Sequence, residues 1–325
     1  MRSLKSILVT GGAGFIGSSL ARHLLKEKDL ERLVILDKLT YAGKRENLTL
    51  PSQDPRYQFI EGDICDAELV KKIIGERQIT GIMHLAAESH VDRSIVNANH
   101  FIWTNVGGTS VLLDAAREFQ IPLLHCSTDE VYGPIASPDK AKEDQLLAPS
   151  SPYAVSKASA DLLCLAATRT YGTDTIITRC TNNYGPRQHP EKLVPLLVQK
   201  ALRDEKLPIY GNGMQIRDWI HVDDHCRGLI AAWRRGKAGA VYHFAGHCER
   251  TNLGMARSIL DALRKPHSLI EHVADRPGHD ERYSLDTEKA MMWFGWQPKA
   301  DFREAFPETL RALSAESLPN TDSPD

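Results

Sequence analysis

The segment TGGAGFIG (10–17) constrains the fold of this chain more than any other, because its glycines separate a strand pattern from a helix pattern. The apolar run SILVT precedes it, and the amphipathic run SSLARHLLKEK follows. Glycine is needed where a backbone turns tightly or passes close to another group. The free N–H groups at a helix N-terminus bind phosphate. The segment therefore predicts a strand, a turn and a helix that together hold a phosphate-containing ligand.

The same alternation of strand and helix patterns continues through the first half of the chain. Apolar runs with the length of strands are SILVT (6–10), LVILD (33–37), YQFIEGD (57–63), GIMHLAA (81–87) and PLLHCSTDEVYG (122–133). Helical patterns lie between them, as parallel strands buried on both faces require. The sequence predicts an α/β fold with a doubly wound parallel sheet of the Rossmann type.

From about residue 182 the pattern changes to segments interrupted by proline and glycine, which predicts a second, smaller α+β lobe for the substrate. The run VYHFAG (241–246) again resembles a core strand. We therefore expect the first domain to comprise residues 1–181 and about 220–246. The second lobe then comprises about 182–219 and 247–315, and 316–325 form a disordered tail.

Asp37 identifies the cofactor that the first domain is expected to bind. It ends the second strand pattern, twenty residues after Gly17. A carboxylate there binds a ribose 2′-hydroxyl and repels a 2′-phosphate, which favours NAD over NADP. The positive charge of the adjacent Lys38 opposes this preference. Asp63 ends the third strand pattern, where it either reaches the adenine or caps the next helix.

Charge and motif content exclude several classes of function. The formal net charge of −2 gives no general attraction for nucleic acid or anionic membranes, and no apolar run is long enough to span a bilayer. Six cysteines without a CxxC pair and thirteen histidines without HExxH spacing predict reduced core thiols and no metal. We expect a cytoplasmic protein with no nucleic-acid or membrane partner.

A tyrosine and a lysine in SPYAVSKAS (151–159) suggest redox chemistry. Tyr153 and Lys157 have the i, i+4 spacing that places two side chains on one helix face. The spacing is common by chance, so its meaning depends on the dinucleotide site upstream and on Thr128 at a strand end. A nearby ammonium and a positive nicotinamide favour phenolate, so the pKa of Tyr153 is expected to fall toward neutrality. Thr128 is expected to share the hydrogen bond of a substrate hydroxyl.

Two adjacent carboxylates, Asp129 and Glu130, follow the apolar run LLHCST. They lie either on an exposed turn or at the end of a buried parallel strand, where α/β sheets bind ligands. Like charges in a buried pair push one pKa upward. For the buried alternative we predict a neutral Asp129 beside an ionised Glu130.

These motifs resemble the extended short-chain dehydrogenase/reductase superfamily, and longer blocks are similar to the dTDP-glucose 4,6-dehydratase family. The similar blocks extend to about residue 300 and are DKLTYAG (37–43), LAAESHVDRSI (85–95), STDEVYG (127–133), SPYAVSKAS (151–159), NNYGPRQHPEKL (182–193), PIYGNGMQIRDW (208–219) and ADRPGHDERY (274–283). The triplet Thr128, Asp129 and Glu130 discriminates most, because related epimerases and decarboxylases usually carry Ser or Ala at the aspartate position.

The resemblance implies a reaction and a role for each catalytic residue. The reaction oxidises C4 of the hexose, eliminates water across C5 and C6 and returns the hydride to C6, with NAD regenerated at each turnover. Tyr153 takes the C4 hydroxyl proton, Glu130 removes the C5 proton, and Asp129 protonates the departing C6 hydroxyl. Alternatives are the same reaction on UDP-glucose or another nucleotide hexose, an epimerase or decarboxylase, and a non-catalytic cofactor-sensing member of the fold.

The resemblance also implies residues that bind the ligands. The residues expected to bind NAD are Gly11, Gly14, Phe15, Ile16, Gly17, Asp37, Lys38, Thr40, Asp63, Ile64, Leu85, Ala86, Ala87, Thr104, Tyr153 and Lys157. Those expected to bind the sugar nucleotide are Ser89, Thr128, Asn182, Lys192, Leu193, Pro208, Tyr210, Arg217, Asn252, Arg276 and His279. For Arg276 an ion pair between the lobes is an alternative, and for Tyr210 an ordinary core position.

The family resemblance further implies a homodimer that forms through the helices near 105–119 and 155–170. Two residues of YHFAG differ from the family, because His243 replaces an asparagine and Ala245 replaces a glycine. We expect these differences to alter how Asn252 and its loop contact the nucleotide base. The preference for thymine or uracil, and the deoxysugar pathway supplied, stay open.

Overall fold

Seven parallel strands form the central sheet of the computed structural model, which describes residues 1–48 and 54–317. The strands of the described chain are β1 (Ser6–Thr10), β2 (Arg32–Asp37), β3 (Tyr57–Glu61), β4 (Gly81–His84), β5 (Leu123–Thr128), β6 (Thr175–Cys180), β7 (Asn182–Tyr184), β8 (Leu207–Tyr210), β9 (Ile216–His221), β10 (Ala240–Phe244), β11 (Glu249–Thr251) and β12 (Ile270–Val273). The order across the central sheet is β10, β6, β5, β4, β1, β2, β3.

Helices cover both faces of this sheet. The helices of the described chain are α1 (Phe15–Leu24), α2 (Ala67–Glu76), α3 (Val91–Val96), α4 (Ala98–Phe101), α5 (Gly108–Glu118), α6 (Pro152–Tyr171), α7 (Leu193–Leu202), α8 (Val222–Arg235), α9 (Asn252–Leu263), α10 (Glu288–Phe294) and α11 (Phe302–Ser317). One apolar core lies between the sheet and α1, α8 and α10, and a second lies between the sheet and α2, α5 and α6. The predicted Rossmann-type α/β fold is confirmed.

The strand order determines where a ligand can bind. β1 pairs with β2 on one side and with β4 on the other, so successive strands proceed in opposite directions from β1. In open α/β sheets the crevice at the carboxyl ends of the strands, beside such a reversal, is the usual binding site. The turn after β1 opens into this crevice.

Glycines at this turn are required by close packing. Gly11 has φ +70°, and a Cβ there would approach the Ala86 backbone nitrogen to 2.5 Å. A Cβ at Gly17 would clash with the Gly11 carbonyl oxygen. The first turn of α1 therefore lies directly against the end of β1, where its backbone N–H groups face the crevice.

A smaller unit lies beside the carboxyl ends of the central strands. It contains the sheet β11–β9–β7 and the pair β12–β8, packed on α7, α9 and α11 around a separate apolar core. β10 returns to the central sheet beside β6, and α8 packs against α1. The domain boundaries remain a proposal that this arrangement supports.

The end of the chain is described only in part. α11 continues to Ser317, and residues 318–325 of the predicted tail lie outside the described residues. Among the described helices, none has the length and apolar character needed to cross a membrane.

Candidate active site

A cavity of about 300 Å³ extends across the carboxyl ends of the central strands. Every residue that the family resemblance implied for NAD lines this cavity. So do Thr128, Asp129 and Glu130. The fold therefore brings the glycine-rich turn, the strand-end carboxylates and the Tyr153–Lys157 pair to one place.

Asp37 is held in a fixed orientation at the end of β2. Its two carboxylate oxygens accept hydrogen bonds from the backbone N–H groups of Ala13 and Leu39, each at 2.9 Å. Burial raises the pKa of Asp37, while these two hydrogen bonds favour the carboxylate. Lys38 does not face Asp37 but forms an ion pair with Asp63 at 2.7 Å.

Asp63 does not cap the following helix. The N-cap of α2 is Asp66, whose side chain accepts the Leu69 N–H at 3.0 Å. Asp63 accepts the Cys65 N–H at 2.9 Å and lines the cavity. The capping alternative is therefore wrong, which leaves the ligand-binding alternative as the proposal.

The adjacent carboxylates are buried. β5 ends at Thr128, and a short 3₁₀ turn, Asp129–Tyr132, follows directly. Asp129 is 4% exposed, and its Oδ1 accepts a hydrogen bond from the Thr128 hydroxyl at 3.1 Å. Asp129 Oδ2 and Glu130 Oε2 have no hydrogen-bond partner within residues 1–48 and 54–317. The exposed-turn alternative is thus wrong.

Burial acts alike on the two carboxyls of this pair, and the neighbouring charges act differently on them. Burial and the neighbouring Glu130 raise the pKa of Asp129 to about 8. Burial also raises the pKa of Glu130, but Arg276, Arg217 and Lys192 act in the opposite direction. At neutral pH Asp129 is therefore mostly a neutral acid, and the cations favour the carboxylate of Glu130.

The Tyr153–Lys157 pair lies on the first turns of α6. Ser151 caps this helix by accepting the Ala154 N–H at 3.1 Å, and Pro152 occupies its first position. Both pair members are buried. Lys157 Nζ donates to the Cys126 carbonyl oxygen at 2.7 Å and lies 3.3 Å from His125 Nε2.

In the chain without NAD the pKa of Tyr153 is raised, so the lowering expected from the ammonium and the positive nicotinamide stays a prediction for the loaded site. Burial first, and then the charge of Glu130, raise the pKa of this phenol well above its ordinary value, while a hydrogen bond with Thr128 lowers it. The ammonium of Lys157 is directed to a carbonyl on β5. Spacing on one helix face therefore does not by itself make this tyrosine a phenolate.

Lys157 belongs to a buried polar network that the motifs did not indicate. His125 lies 3.5 Å from Asp161, and Asp161 forms an ion pair with Arg179 at 2.8 Å. Burial and the Lys157 charge lower the pKa of His125 well below its ordinary value, so this imidazole is neutral. The network fixes the lysine between β5 and α6. A polar residue in an otherwise apolar strand was the only sequence signal for it.

Of the predicted substrate residues, four line the cavity: Ser89, Thr128, Asn182 and Lys192. Lys192 Nζ donates to the Ser89 carbonyl oxygen at 2.6 Å, and burial lowers the pKa of this lysine. Three others do not line the cavity: Leu193 begins α7, Pro208 belongs to β8, and Asn252 begins α9.

The remaining four predicted substrate residues lie outside the cavity lining, in or beside the smaller unit. Tyr210 donates to Asp92 Oδ2 at 3.0 Å, and Arg276 Nη1 donates to Asp92 Oδ1 at 3.1 Å. The ring of His279 is 6.0 Å from that of Tyr210. Arg217 packs over the Tyr283 ring at 4.2 Å.

Two of the alternatives for these residues are resolved. Arg276 does form an ion pair between the units, since Asp92 lies on α3. Tyr210 is 38% exposed, so the core alternative for it is wrong. The charge of Arg217 reaches both catalytic carboxyls, because it lowers the pKa of Asp129 and of Glu130.

Comparisons with known proteins agree with this geometry. The family model described as GDP-mannose 4,6 dehydratase matches residues 8–309. A dTDP-glucose 4,6-dehydratase of Actinoplanes sp. is 48% identical over 310 residues, covering 94% of this chain and 96% of that protein. One of Escherichia coli K12 is 47% identical, covering 94% and 91%. The chain belongs to the dTDP-glucose 4,6-dehydratase family.

Solved structures extend the likeness to the fold. The dTDP-glucose 4,6-dehydratase DesIV of Streptomyces venezuelae, solved with NAD bound, has a TM-score of 0.92 at 47% identity, covering 95% of this chain and 97% of that one. A UDP-glucose 4-epimerase of Thermotoga maritima has a TM-score of 0.88 at 28% identity, covering 96% and 100%. Dehydratases and epimerases therefore share the backbone, and side chains must distinguish them.

The two differences from the dTDP-glucose 4,6-dehydratase family pattern in YHFAG lie in the core. His243 Nδ1 donates to the Asp286 carbonyl oxygen at 2.9 Å, so Nε2 accepts the Tyr132 hydroxyl at 2.7 Å. Burial lowers the pKa of His243 to about 3. Ala245 packs with Val131 and Tyr132. Neither residue acts through a contact with Asn252, whose backbone N–H donates to Gln215, so the expected effect on that loop is not found.

Several cavity residues were not among the predicted site residues, although some lie within the quoted blocks. They include Cys126, Ser127, Cys180, Thr181, Asn183, Gln188 and His189, together with His100. The first four lie at the ends of β5 and β6, and the rule that carboxyl ends of parallel strands meet would have identified them, whereas Asn183 lies in β7. His100 lies beside a π-helical segment, Ile102–Gly107, which also carries Thr104. Such π-helical turns are frequent at functional sites.

Proposed function

We propose that this chain is an NAD-dependent dTDP-glucose 4,6-dehydratase, a hydro-lyase that forms dTDP-4-keto-6-deoxyglucose. The observation that carries the proposal is the buried Asp129–Glu130 pair in the same cavity as Tyr153, with a raised pKa at Asp129 and three cations that favour the carboxylate of Glu130. Water elimination needs a base and an acid at neighbouring carbons, and this pair supplies both. An epimerase has no leaving group to protonate.

The residues of the cavity fit NAD. Gly11 and Gly17 let the turn after β1 pack closely, since a Cβ at either would clash with backbone, and the N-terminus of α1 offers backbone N–H groups for a pyrophosphate. The fixed carboxylate of Asp37 suits a ribose diol. When bound, NAD accepts a hydride from C4 of the sugar and returns it to C6. Asp37 and the glycine turn would hold the dinucleotide in the cavity that Tyr153 also lines.

Tyr153 acts on the C4 hydroxyl. In the chain alone burial keeps its phenol protonated. A positive charge bound next to it, together with the ammonium of Lys157, favours phenolate, so the phenol can accept the hydroxyl proton only in the loaded site. Thr128 hydrogen-bonds to Tyr153 and orients the reacting hydroxyl.

Glu130 and Asp129 perform the elimination. Glu130, whose carboxylate form three cations favour, removes the C5 proton that the C4 ketone has made acidic. Asp129, neutral at pH 7, gives its proton to the departing C6 hydroxyl. The two roles require unlike protonation states, which the charges around the pair favour.

Residues of the smaller unit bind the nucleotide. Arg217, Arg276 and Lys192 supply the local positive charge that a diphosphate requires in a chain of net charge −2. The exposed ring of Tyr210 stacks on the base, and His279, Asn252, Pro208 and Leu193 complete this side of the site. The same reaction on UDP-glucose is the nearest alternative.

A homodimer and a cytoplasmic location belong to the same proposal. Val155 and Leu162 are exposed apolar side chains on α6, one of the two helices expected to form the dimer, and the exposed Ile102 and Trp103 lie just before the range 105–119 expected for the other. Covering them in a helix-on-helix interface removes this apolar surface from water. The six cysteines are all free, as a reducing compartment requires.

The test is to incubate the purified protein with dTDP-glucose or UDP-glucose and no added NAD. We expect loss of one water from dTDP-glucose, read by mass spectrometry, and a 4-keto product detected by its absorbance in base. A preference for UDP-glucose would make UDP-glucose the substrate in place of dTDP-glucose. Water loss from neither nucleotide, in protein shown to contain NAD, would reject the dehydratase.

A further inference from the structure

Two thiols and one imidazole meet at the cavity floor, on three elements that are far apart in the sequence. Cys126 lies on β5, Cys180 ends β6, and His225 lies on α8. One donor atom from each residue lies within 4.8 Å of the other two. The sequence predicted no metal because no ligand spacing is present, whereas the fold brings these three donors together.

The hydrogen bonds of Asn183 determine which nitrogen of His225 carries the proton. The Asn183 amide nitrogen donates to the Thr181 carbonyl oxygen at 3.0 Å, and a carbonyl oxygen can only accept. Asn183 Oδ1 therefore faces His225 Nδ1, 3.0 Å away, and Nδ1 donates to it. The lone pair of Nε2 is left free, 4.0 Å from Cys126 Sγ. An imidazole oriented by such an outer hydrogen bond is typical of metal-binding histidines.

The strand register argues against a disulfide between the two thiols. Cys126 pairs with Thr178 and Thr128 pairs with Cys180, so the cysteines are offset by two residues on neighbouring parallel strands. Strands about 4.8 Å apart with a rise of about 3.3 Å per residue place their Cα atoms about 8 Å apart. A disulfide needs Cα atoms within about 7 Å.

A metal ion fits the separation of the three donor atoms. Bonds of about 2.3 Å to sulfur and about 2.0 Å to nitrogen, at tetrahedral angles, separate the donor atoms by about 3.5 to 3.8 Å. The observed donors need to approach by at most about 1 Å, which side-chain rotation can supply. Sulfur and imidazole ligands favour zinc-like cations over calcium or magnesium.

We propose that Cys126, Cys180 and His225 bind a thiophilic divalent cation of the zinc class. Three protein ligands leave a fourth position, and this position faces the cavity because Cys126 and Cys180 line it. The cation lies next to Lys157, whose Nζ donates to the Cys126 carbonyl oxygen at 2.7 Å. It occupies part of the cavity expected to hold NAD and, on the proposed function, therefore inhibits the dehydratase.

Co²⁺ tests the site directly, because it reports ligand type in its absorption spectrum. The reduced, purified protein is titrated with Co²⁺ and the metal is then displaced by Zn²⁺. We expect one equivalent to give the intense visible bands of tetrahedral cobalt with a thiolate charge-transfer band. Cys180→Ser and Cys126→Val should lose the charge-transfer band in part and weaken binding at least about 10-fold. The apolar Cys126→Val suits a strand and keeps the fold testable by circular dichroism.

The matched control is the double variant Cys65→Ser/Cys248→Ser, which removes the half-buried thiols outside the cluster and should keep the full spectrum. Bands that persist in both cluster variants, or vanish in the control, would overturn the site. Inhibition has a separate readout, since Zn²⁺ should inhibit turnover of the wild type more strongly than that of Cys180→Ser. Tetrahedral cobalt without inhibition keeps the site and overturns only its effect on the dehydratase.

Discussion

Replacing Asp129 by asparagine should inactivate the protein and stabilise it at the same time. Asparagine keeps the size of the side chain but can neither give a proton to a leaving hydroxyl nor ionise. Loss of a general acid costs about 10² to 10⁴-fold in turnover. The stability effect follows from the raised pKa of about 8 for this buried carboxyl.

The raised pKa of Asp129 makes the wild type less stable as the pH rises, and the asparagine variant lacks this effect. Near pH 7 Asp129 is neutral in the folded chain but ionised in the unfolded chain, where its pKa is about 3.9. Unfolding then releases a proton, so stability falls as pH rises from about 4 to about 8. At about 1.4 kcal/mol per pKa unit, the penalty reaches about 4 kcal/mol at pH 7 as an upper value. The Asp129→Asn variant should not carry this penalty, because an amide does not ionise.

Unfolding by urea at pH 5 and pH 7.5, followed by circular dichroism, measures the difference. The free energy of unfolding of Asp129→Asn should exceed that of the wild type by an amount that grows by about 3 kcal/mol between the two pH values. The exposed Asp139→Asn is the control and should show no such growth. A gap that does not change with pH, or full dehydratase activity in Asp129→Asn, would refute the neutral-acid assignment.

Three further substitutions test other parts of the site. Glu130→Gln removes the base but not the redox groups. Incubation with dTDP-glucose should therefore leave reduced cofactor on the protein, detected by its fluorescence, without loss of water from the sugar. Normal product formation would exclude Glu130 as the base. Gly17→Ala should abolish NAD retention, measured in the denatured supernatant, because its Cβ would clash with the Gly11 carbonyl oxygen, and wild-type NAD content would contradict this packing. Arg276→Gln removes the largest influence that lowers the Glu130 pKa, so the acid limb of the pH–rate profile should move to higher pH. The control Arg203→Gln, at an exposed position, should leave the acid limb in place. An unmoved limb in Arg276→Gln would show that Glu130 does not titrate there.

Local patterns determined much of the fold and of the cofactor site. TGGAGFIG, the apolar runs and Asp37 predicted the sheet and its binding edge, because turns and buried strands depend on residues close together in the chain. The Thr128–Glu130 triplet and the Tyr153–Lys157 pair were likewise recognisable from short motifs. Both groups line the cavity that the fold forms.

The charge states of the site were decided by tertiary structure alone. Lys192, Arg217 and Arg276 influence Glu130 from distant parts of the chain, and burial raises the pKa of Tyr153 in the chain without NAD. The thiol and imidazole cluster arises in the same way, since β5, β6 and α8 meet only after folding. Electrostatic and ligand interactions depend on distance through space and on exclusion of water, and neither quantity is a function of sequence separation.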